Sequence, residues 1–297
     1  MVRSKVVAVL ALVMVAAAGC SRVPAGVDKD LVDEWAMLAE AKVPEPVAGA
    51  CWTSYADDVW DLVGVTVAAT PVACDAQHII ETVHVGHFTG AQADADRPPP
   101  VDQMTDAYAA CDAELTKFLG ASWQLGRARM LVFPPTTTQW RGGARFYRCD
   151  VASLRGINGD FEERTASLKG SLQPGGDRLL GCAVRTGTED SWSDMTPAAC
   201  TTPHDLEFLG IVGSRSATRP AGTDAVRAAF GTPCLDQLRA YTKASDNTLA
   251  KAKVRYGYQQ IAAGVPEWST GNHNAYCFVL LPKKITRSLK NNGNTAI

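Results

Sequence analysis

From residue 51 onward, the chain alternates short apolar runs with polar turn residues, the pattern of a protein built mainly from strands. Four runs are rich in residues that favour strands and are short enough to form one strand each. They read VGVTVAA at 63–69, ARMLVF at 128–133, LLGCAV at 179–184 and AYCFVLL at 275–281. The turn residues between them predict short strands joined by tight connections.

Two stretches among these strands have helical spacing instead. In MTDAYAACDAELTKF, residues 104–118, apolar side chains recur at three- and four-residue intervals and so share one helix face. TPCLDQLRAY, residues 232–241, has the same spacing, with Thr232 as the predicted N-cap and Pro233 at the first helical position. Strands with interspersed helices predict an α+β fold.

The chain begins with a secretory signal. Arg3 and Lys5 precede an apolar run at 6–18 that is short for a membrane span, and small residues then lead to Cys20. The segment resembles a bacterial lipobox, which implies cleavage before Cys20 and acylation of its thiol by a fatty acid such as palmitate. Cleavage near Ala18 by an ordinary signal peptidase is the alternative.

Residues 20–46 read as a tether followed by a helix, in which Leu31, Trp35 and Leu38 share one face. This face is expected to pack on the following domain, although binding to a partner or to the membrane surface is the alternative. The formal net charge is −2 and becomes more negative once Arg3 and Lys5 are removed. This balance argues against electrostatic binding to nucleic acid.

Three blocks recur in the same order, which indicates duplication of one folding unit. The spacing inside each block is identical, while the separation between blocks drifts by a few residues, as loops do. The matched positions are Cys74, His78 and Glu81 with Cys200, His204 and Glu207; Cys111, Leu115 and Phe118 with Cys234, Leu238 and Tyr241; and Trp140, Gly143 and Cys149 with Trp268, Gly271 and Cys277.

These blocks divide the chain into two tandem units, each an antiparallel sheet with a helix. A polar, glycine-containing stretch lies between the units and predicts a linker. The predicted boundaries are 1–19 for the signal peptide, 20–46 for the tether and N-terminal helix, 47–156 for the first unit, 157–178 for the linker, 179–283 for the second unit and 284–297 for a flexible tail.

Cysteine usage fits an oxidising compartment. The chain has nine cysteines, so acylation of Cys20 would leave eight, which predict four disulfides. Each unit then holds four cysteines with three possible pairings. A hairpin that joins its first two cysteines and a helix stapled to a strand by the others favour one set. The favoured pairs are Cys51–Cys74, Cys111–Cys149, Cys182–Cys200 and Cys234–Cys277.

The Cys-His-Glu block contains residue types that bind metals and exchange protons. His84 and His87 lie close to His78 and Glu81, but no histidine follows at the matching place in the second unit. A duplicated metal site should duplicate its ligands, so we expect no metal here. On a strand, His78 and Glu81 would point to opposite faces and would need a turn between them to meet, so we expect no catalytic residue. His78 and His204 are expected to cap turns, and Glu81 and Glu207 to pair with an arginine of the same unit, such as Arg145.

The two tryptophans of the third block have two interpretations. Trp140 and Trp268 are expected to fill the core beside a glycine turn, while platforms that stack on carbohydrate are the alternative. Motifs for a serine nucleophile, a zinc protease or a phosphate-binding loop are absent from the sequence.

Together the blocks resemble the septum formation family of actinobacterial envelope proteins. The segments that carry the resemblance are CWTSY, VACDAQHIIE, CDAELTKF and FPPTTTQWRGGARFYRC within 51–149, and GCAV, AACTTPHDLE, CLDQLRAY and VPEWSTGNHNAYC within 181–277. The second copy lacks an aromatic residue after Cys182 and a counterpart of the Arg145–Phe146 pair. The resemblance implies an extracytoplasmic, disulfide-bonded domain connected with cell division, and it implies no catalytic residues and no cofactor.

We therefore expect a non-enzymatic protein held by lipid on the extracytoplasmic face of the cell membrane. Its expected role is to bind or scaffold an envelope or division protein, or a cell-wall polymer, during septum formation. One alternative is a metal-assisted envelope hydrolase that uses His78, Glu81, His84 and His87. Another is a ligand-binding lipoprotein with a deep apolar pocket.

Overall fold

A computed structural model describes residues 43–53, 71–157, 160–188, 192–251, 253, 255–260 and 268–292. The predicted signal peptide, Cys20, the N-terminal helix and the strand at 63–69 lie outside these residues. Two antiparallel sheets with accompanying helices make up the described chain, which confirms the predicted α+β class. No helix within these ranges is long and apolar enough to cross a membrane.

The first unit is built around one antiparallel sheet in the order β1-β2-β4-β3. The strand at 128–133 has the predicted bounds, and the first long helix begins and ends one residue after the predicted stretch. The described elements are β1 (Cys51–Trp52), β2 (Ile80–His87), α1 (Thr105–Leu119), β3 (Ala128–Phe133), α2 (Thr137–Arg141) and β4 (Phe146–Ser153).

The second unit repeats this plan with one more strand, in the order β6-β5-β7-β9-β8. Among the described residues, the extra strand is β6, which extends the sheet at the edge beside β5. The elements are β5 (Cys182–Gly187), β6 (Trp192–Pro197), β7 (His204–Gly213), α3 (Thr223–Thr242), α4 (Asp246–Lys251), β8 (Arg255–Gln260) and β9 (Asn274–Ile285).

The predicted start of the second long helix at Thr232 is wrong. Helix α3 begins at Thr223 and carries Pro233 inside it, although proline cannot donate the usual helical hydrogen bond. The apolar spacing explains the earlier start. Val226 and Phe230 lie on the same helix face as Cys234 and extend that face towards the N-terminus. Burial of this longer face outweighs the local signal for a cap at Thr232.

Four disulfides join the pairs that the sequence favours. Cys51–Cys74 and Cys182–Cys200 each close a loop at the start of a unit, and their Cα atoms are 5.3 and 5.2 Å apart. In the other two, the long helix of a unit is joined to its sheet. These are Cys111–Cys149, at 5.2 Å, and Cys234–Cys277, at 5.6 Å.

The second sheet is covered on both faces. Alternate residues of a strand point to opposite faces, and along β9 Cys277 and Val279 pack with helix α3. Tyr276, Phe278 and Leu280 belong instead to a core cluster shared with the first unit. The two units therefore bury a common core. A polar contact also joins them, since the Asn274 amide donates to Gln124 Oε1 at 2.7 Å.

The first sheet has a different environment on each face. Cys149 and Val151 of β4 point towards helix α1 and the shared core. On the opposite face, Ala152 packs in a smaller cluster with Ile80 and Phe161. This second face also holds several half-buried side chains, and it differs in chemistry from the matching face of the second sheet.

Candidate functional site

Each unit brings a cysteine, a histidine and a glutamate together, but the cysteine is the one that precedes the block. Cys51 on β1 lies directly opposite Glu81 on β2, and Cys182 on β5 lies opposite Glu207 on β7. In each unit one potential ligand atom from each of the three residues lies within 4.8 Å of the others, and all three are buried. The block's own cysteine is the disulfide partner.

Both histidines make the backbone hydrogen bond expected of a turn. His78 Nδ1 lies 2.7 Å from the carbonyl oxygen of Ala76, and His204 Nδ1 lies 2.8 Å from that of Thr202. In each unit this contact holds the turn formed by the two residues that precede the histidine. The second ring nitrogens differ, because His204 Nε2 is 3.2 Å from Glu207 Oε1, whereas His78 Nε2 is buried without a hydrogen-bond partner among the described residues.

A strand irregularity allows His204 to reach Glu207. Positions three apart on a regular strand point to opposite faces. The pairing of β7 with β9 shifts register between His204 and Leu206, so the alternation is interrupted between the two side chains. The contact at 3.2 Å follows from this shift.

The Glu81 carboxylate is surrounded by donors from residues 164–168. It accepts hydrogen bonds from the Ser167 hydroxyl at 2.6 Å, the Leu168 backbone N–H at 2.9 Å and Arg164 Nη2 at 3.3 Å. Arg164 is itself buried and also donates to the carbonyl oxygen of Ile79 at 2.8 Å. Both charges of this buried pair are therefore matched and hydrogen-bonded, as burial requires.

Glu207 holds the corresponding residues of the second unit. Its carboxylate accepts hydrogen bonds from the Ser288 hydroxyl at 2.9 Å and from the Leu289 backbone N–H at 2.9 and 3.1 Å. The Tyr241 hydroxyl donates at 2.8 Å, and burial raises the pKa of this phenol, which keeps it protonated as a donor. His204 completes the set.

These contacts reveal a fourth duplicated block, Ser-Leu-Lys, at residues 167–169 and 288–290. In both copies the lysine backbone N–H donates to the serine hydroxyl, at 3.1 and 3.0 Å. In both copies the next residue has positive φ, 73° at Gly170 and 60° at Asn291. The identical tripeptide is the sequence signal that would have found this block.

Each Ser-Leu-Lys turn also closes the end of the long helix in its unit. The Gly170 N–H donates to the carbonyl oxygen of Phe118 at 2.9 Å, and the Asn291 N–H donates to that of Tyr241 at 2.8 Å. Carbonyls at a helix C-terminus lack partners within the helix, so these bonds satisfy them. We call each arrangement a glutamate clamp: Glu81 with residues 167–170, and Glu207 with residues 288–291.

The clamps give a role to two segments that the sequence assigned to a linker and a flexible tail. Within 157–178, Leu168 and Leu172 are buried in the shared core. Within 284–297, Leu289 is fully buried against the second unit. Each segment thus supplies the last piece of the unit that precedes it, and β9 itself continues to Ile285.

Glu81 pairs with an arginine as predicted, but the predicted choice of Arg145 is wrong, and Glu207 pairs with His204 rather than with an arginine among the described residues. The Arg145 guanidinium lies over the Trp140 ring at 4.1 Å and donates to backbone carbonyls, including that of Ala93 at 2.6 Å. An isolated bridge pairs His78 with Arg164, and this long-range pairing delivers Arg164 rather than Arg145 to Glu81.

His84 and His87 do not join the candidate site. His84 sits opposite Cys149 on β4, on the side of the sheet that faces helix α1. His87 is exposed and lies 3.0 Å from Glu45. Within the described ranges, neither belongs to a group of three potential metal ligands.

The donor set of each trio fits a metal ion poorly. Metal binding by cysteine requires a thiolate, whereas Cys51 and Cys182 are in disulfides. The carboxylate of Glu81 already accepts three hydrogen bonds, and that of Glu207 accepts bonds from Ser288, Leu289 and Tyr241. Each glutamate instead holds the turn that contains Leu168 or Leu289.

The two block tryptophans lie in the core, as expected. Trp140 is 1% exposed and Trp268 is 3% exposed, so neither ring presents a face for carbohydrate. Each begins a Trp-x-x-Gly turn in which the glycine has positive φ, 91° at Gly143 and 102° at Gly271. Only glycine adopts this conformation without strain, which explains why both turns carry it.

Comparison with known protein families finds a match to the family model described as Septum formation, over residues 48–277. The match covers more than half of the chain, so the chain belongs to the septum formation family, as its blocks predict. Comparison with curated proteins and with solved structures finds no match.

Proposed function

We propose that this septum formation protein is a non-enzymatic component of the cell envelope, held by a lipid on Cys20 at the extracytoplasmic face of the membrane. It binds or scaffolds another envelope or division protein, or a cell-wall polymer, during septum formation. Its family membership supports the connection with division. The observation that carries the non-enzymatic part is the commitment of Glu81 and Glu207 to the clamps.

Depletion of the protein tests the division role. We expect misplaced or incomplete septa, or a leaking envelope, and rescue by the full chain supplied from a plasmid. Normal septa together with normal envelope integrity after complete depletion would remove the division role.

Fractionation tests the anchor separately. A Cys20→Ala variant should leave the membrane fraction, and mass spectrometry of the native protein should find acyl chains on the peptide that begins at Cys20. A matched Cys20→Ala protein that stays in the membrane fraction would show that another feature of the chain attaches it.

A metal-assisted hydrolase remains the second candidate, because His78 Nε2 is buried without a partner close to Glu81. Elemental analysis of the purified chain should find no bound zinc. A His84→Ala/His87→Ala variant should fold and should rescue the depleted strain as well as the wild type. Stoichiometric zinc that this double variant keeps and a His78→Ala variant loses would favour the hydrolase.

A further inference from the structure

The face of the first sheet that lies opposite helix α1 carries Arg148, whose head group is held from several sides. Arg148 lies on β4, with Val85 of β2 opposite it on one side and Phe133 of β3 on the other. Its guanidinium carbon lies 4.7 Å from the centroid of the Trp52 ring and 5.3 Å from that of Phe133. Both distances are in the range of cation–π contacts.

A buried carboxylate fixes the orientation of this guanidinium. Arg148 Nε donates to Asp150 Oδ2 at 2.7 Å, and Asp150 is fully buried. Thr82 lies opposite Asp150 on β2 and accepts a hydrogen bond from Trp52 Nε1 at 2.8 Å. The Trp52 ring is thus tied to β2, and the buried carboxylate holds the guanidinium, so the head group is held before any ligand arrives.

The bond to Asp150 uses only one corner of the guanidinium. Arginine has five N–H donors, and its two terminal nitrogens form a planar fork that matches a carboxylate. Among the described residues, the partners of Arg148 are Asp150 and the two rings, and 18% of its side chain is exposed. The fork is therefore preorganised and without a partner within these ranges.

The second unit shows that the fold does not need this charge. The matched cysteines Cys149 and Cys277 align Arg148 with Tyr276 and Asp150 with Phe278. Tyr276 and Phe278 pack in the core shared between the units. An uncharged, largely aromatic version of this face is thus compatible with the same sheet, while burial of Asp150 and most of Arg148 is costly.

We propose that Arg148, Trp52 and Phe133 form a binding site for a carboxylate attached to an apolar group, such as the C-terminus of a small peptide. The fork of Arg148 binds the carboxylate through two parallel hydrogen bonds, and the rings contact the adjoining carbon atoms. The site rests on the proposed binding role, for which it supplies the chemical class of the ligand.

Titration of the purified soluble chain with N-acetyl-alanyl-alanine tests the site. The readouts are the indole N–H signal of Trp52, assigned with a Trp52→Phe variant, and the Nε–H signal of Arg148 in nitrogen-15 NMR spectra. We expect saturable shifts of both signals, and at least tenfold weaker shifts with the C-terminal amide of the same peptide. Equal responses to acid and amide, or no response to either, would overturn the proposal.

Two further probes identify the source of the carboxylate. Acetate should bind more weakly than the peptide, because it lacks the carbon atoms that the rings would contact. The fork can also bind inorganic phosphate, but phosphate has no carbon atoms for the rings to contact, so it should bind more weakly than the peptide. A phosphate response stronger than that of the peptide would overturn the assignment to a carboxylate.

Variants connect the response to these residues. Arg148→Lys keeps the charge but loses the fork, so binding should weaken at least tenfold. Phe133→Leu should weaken it several-fold, and Arg141→Lys, on the exposed end of α2, should leave it unchanged. If Arg148→Lys does not fold, Phe133→Leu and the acid-against-amide comparison still decide the matter. Binding unaffected by Phe133→Leu would contradict the assigned location.

Rescue of the depleted strain separates this site from the wider proposal. If the wild type rescues septation and Phe133→Leu does not, the ligand site serves the division role. Failure of the peptide to bind while depletion still disturbs septa would overturn the carboxylate site alone. Binding of the peptide together with normal septa after depletion would overturn the division role alone.

Discussion

Glu81 and Glu207 occupy equivalent positions in the two units, yet their negative charges meet different groups. Arg164 contacts Glu81, and the matching position in the second unit is Ile285, which bridges to His204 as Arg164 does to His78. Tyr241 and His204 contact Glu207 instead. The serine hydroxyl and leucine N–H are the same in both clamps, so the turn is the constant feature and the charge partner is replaceable.

The matching faces of the two sheets also differ in charge. The first unit buries Asp150 and most of Arg148 where the second unit has Phe278 and Tyr276. The matching face of the second sheet lies in the shared core, so its side chains are buried and cannot contact a ligand. At these two positions the first unit buries a charged pair that the second unit replaces with aromatic residues, so we expect this face of the first unit to be the more sensitive to mutation and to pH.

The largest effect is expected from removal of each clamp carboxylate. Glu81→Gln leaves Arg164 buried without a counter-ion and should lower the free energy of unfolding by about 3–5 kcal/mol. Glu207→Gln leaves no buried arginine behind and should cost about 1–2 kcal/mol. Denaturant unfolding measures both, with Glu114→Gln on the surface of α1 as the control. A larger cost for Glu207→Gln would contradict the comparison.

Asp150 should make stability depend on pH. Burial raises its pKa to about 6, against the opposing effects of Arg148 and Thr82. The folded chain therefore holds this proton more tightly than the unfolded chain. The stabilisation is complete below about pH 4 and falls by about 2–3 kcal/mol as the pH rises through about 6.

Asp150→Asn removes this titration. The free energy of unfolding of the wild type, measured relative to Asp150→Asn, should decrease between about pH 4 and pH 7 and then level off. A difference that stays constant across this range, or that grows with pH, would show that Asp150 titrates normally in the folded chain.

Removal of the phenol that donates to Glu207 should have a smaller effect. Tyr241→Phe deletes a hydrogen bond to a buried carboxylate and should cost about 1–2 kcal/mol. The mirror variant Phe118→Tyr adds a hydroxyl near a carboxylate that already has its donors, so it should change stability by less than about 0.5 kcal/mol. Equal costs for the two variants would indicate that the clamps use the same partners.

The smallest difference is expected for the two clamp serines. Ser167→Ala and Ser288→Ala each delete one hydroxyl donor to a glutamate and should each cost about 0.5–1.5 kcal/mol. Thermal unfolding of the two variants measures this. Because the serine contact is common to both clamps, a clear inequality between the variants would mean that the turns are not equivalent.

Features with short-range or repeated signals were predictable from the sequence. The helix around Cys111 and the strand at 128–133 follow from local spacing, and the disulfide pairs follow from duplication and loop geometry. The partner of Glu81 was not predictable in the same way. Arg145 is nearer in sequence, but strand pairing between His78 and Arg164 decides which arginine arrives.

The Ser-Leu-Lys block was missed for a different reason. Residues 167–169 lie in a polar, glycine-containing stretch, and residues 288–290 lie near the end of the chain, so composition favoured a linker and a tail. Their order comes from long-range contacts to Glu81 and Glu207, which composition does not register. The start of α3 could not be predicted from the local proline signal, because the apolar spacing of Val226 and Phe230 extends the buried helix face upstream of Pro233.

Amide hydrogen exchange at the two turns tests most directly whether the Cys-His-Glu motif is a clamp. In the wild type, the N–H groups of Leu168 and Leu289 should exchange slowly, because each is buried and bonded to a glutamate. In Glu81→Gln, Leu168 and Gly170 should exchange faster while Leu289 stays protected. Rapid exchange of Leu168 and Leu289 in the wild type, at the rate of an open loop, would contradict the clamp.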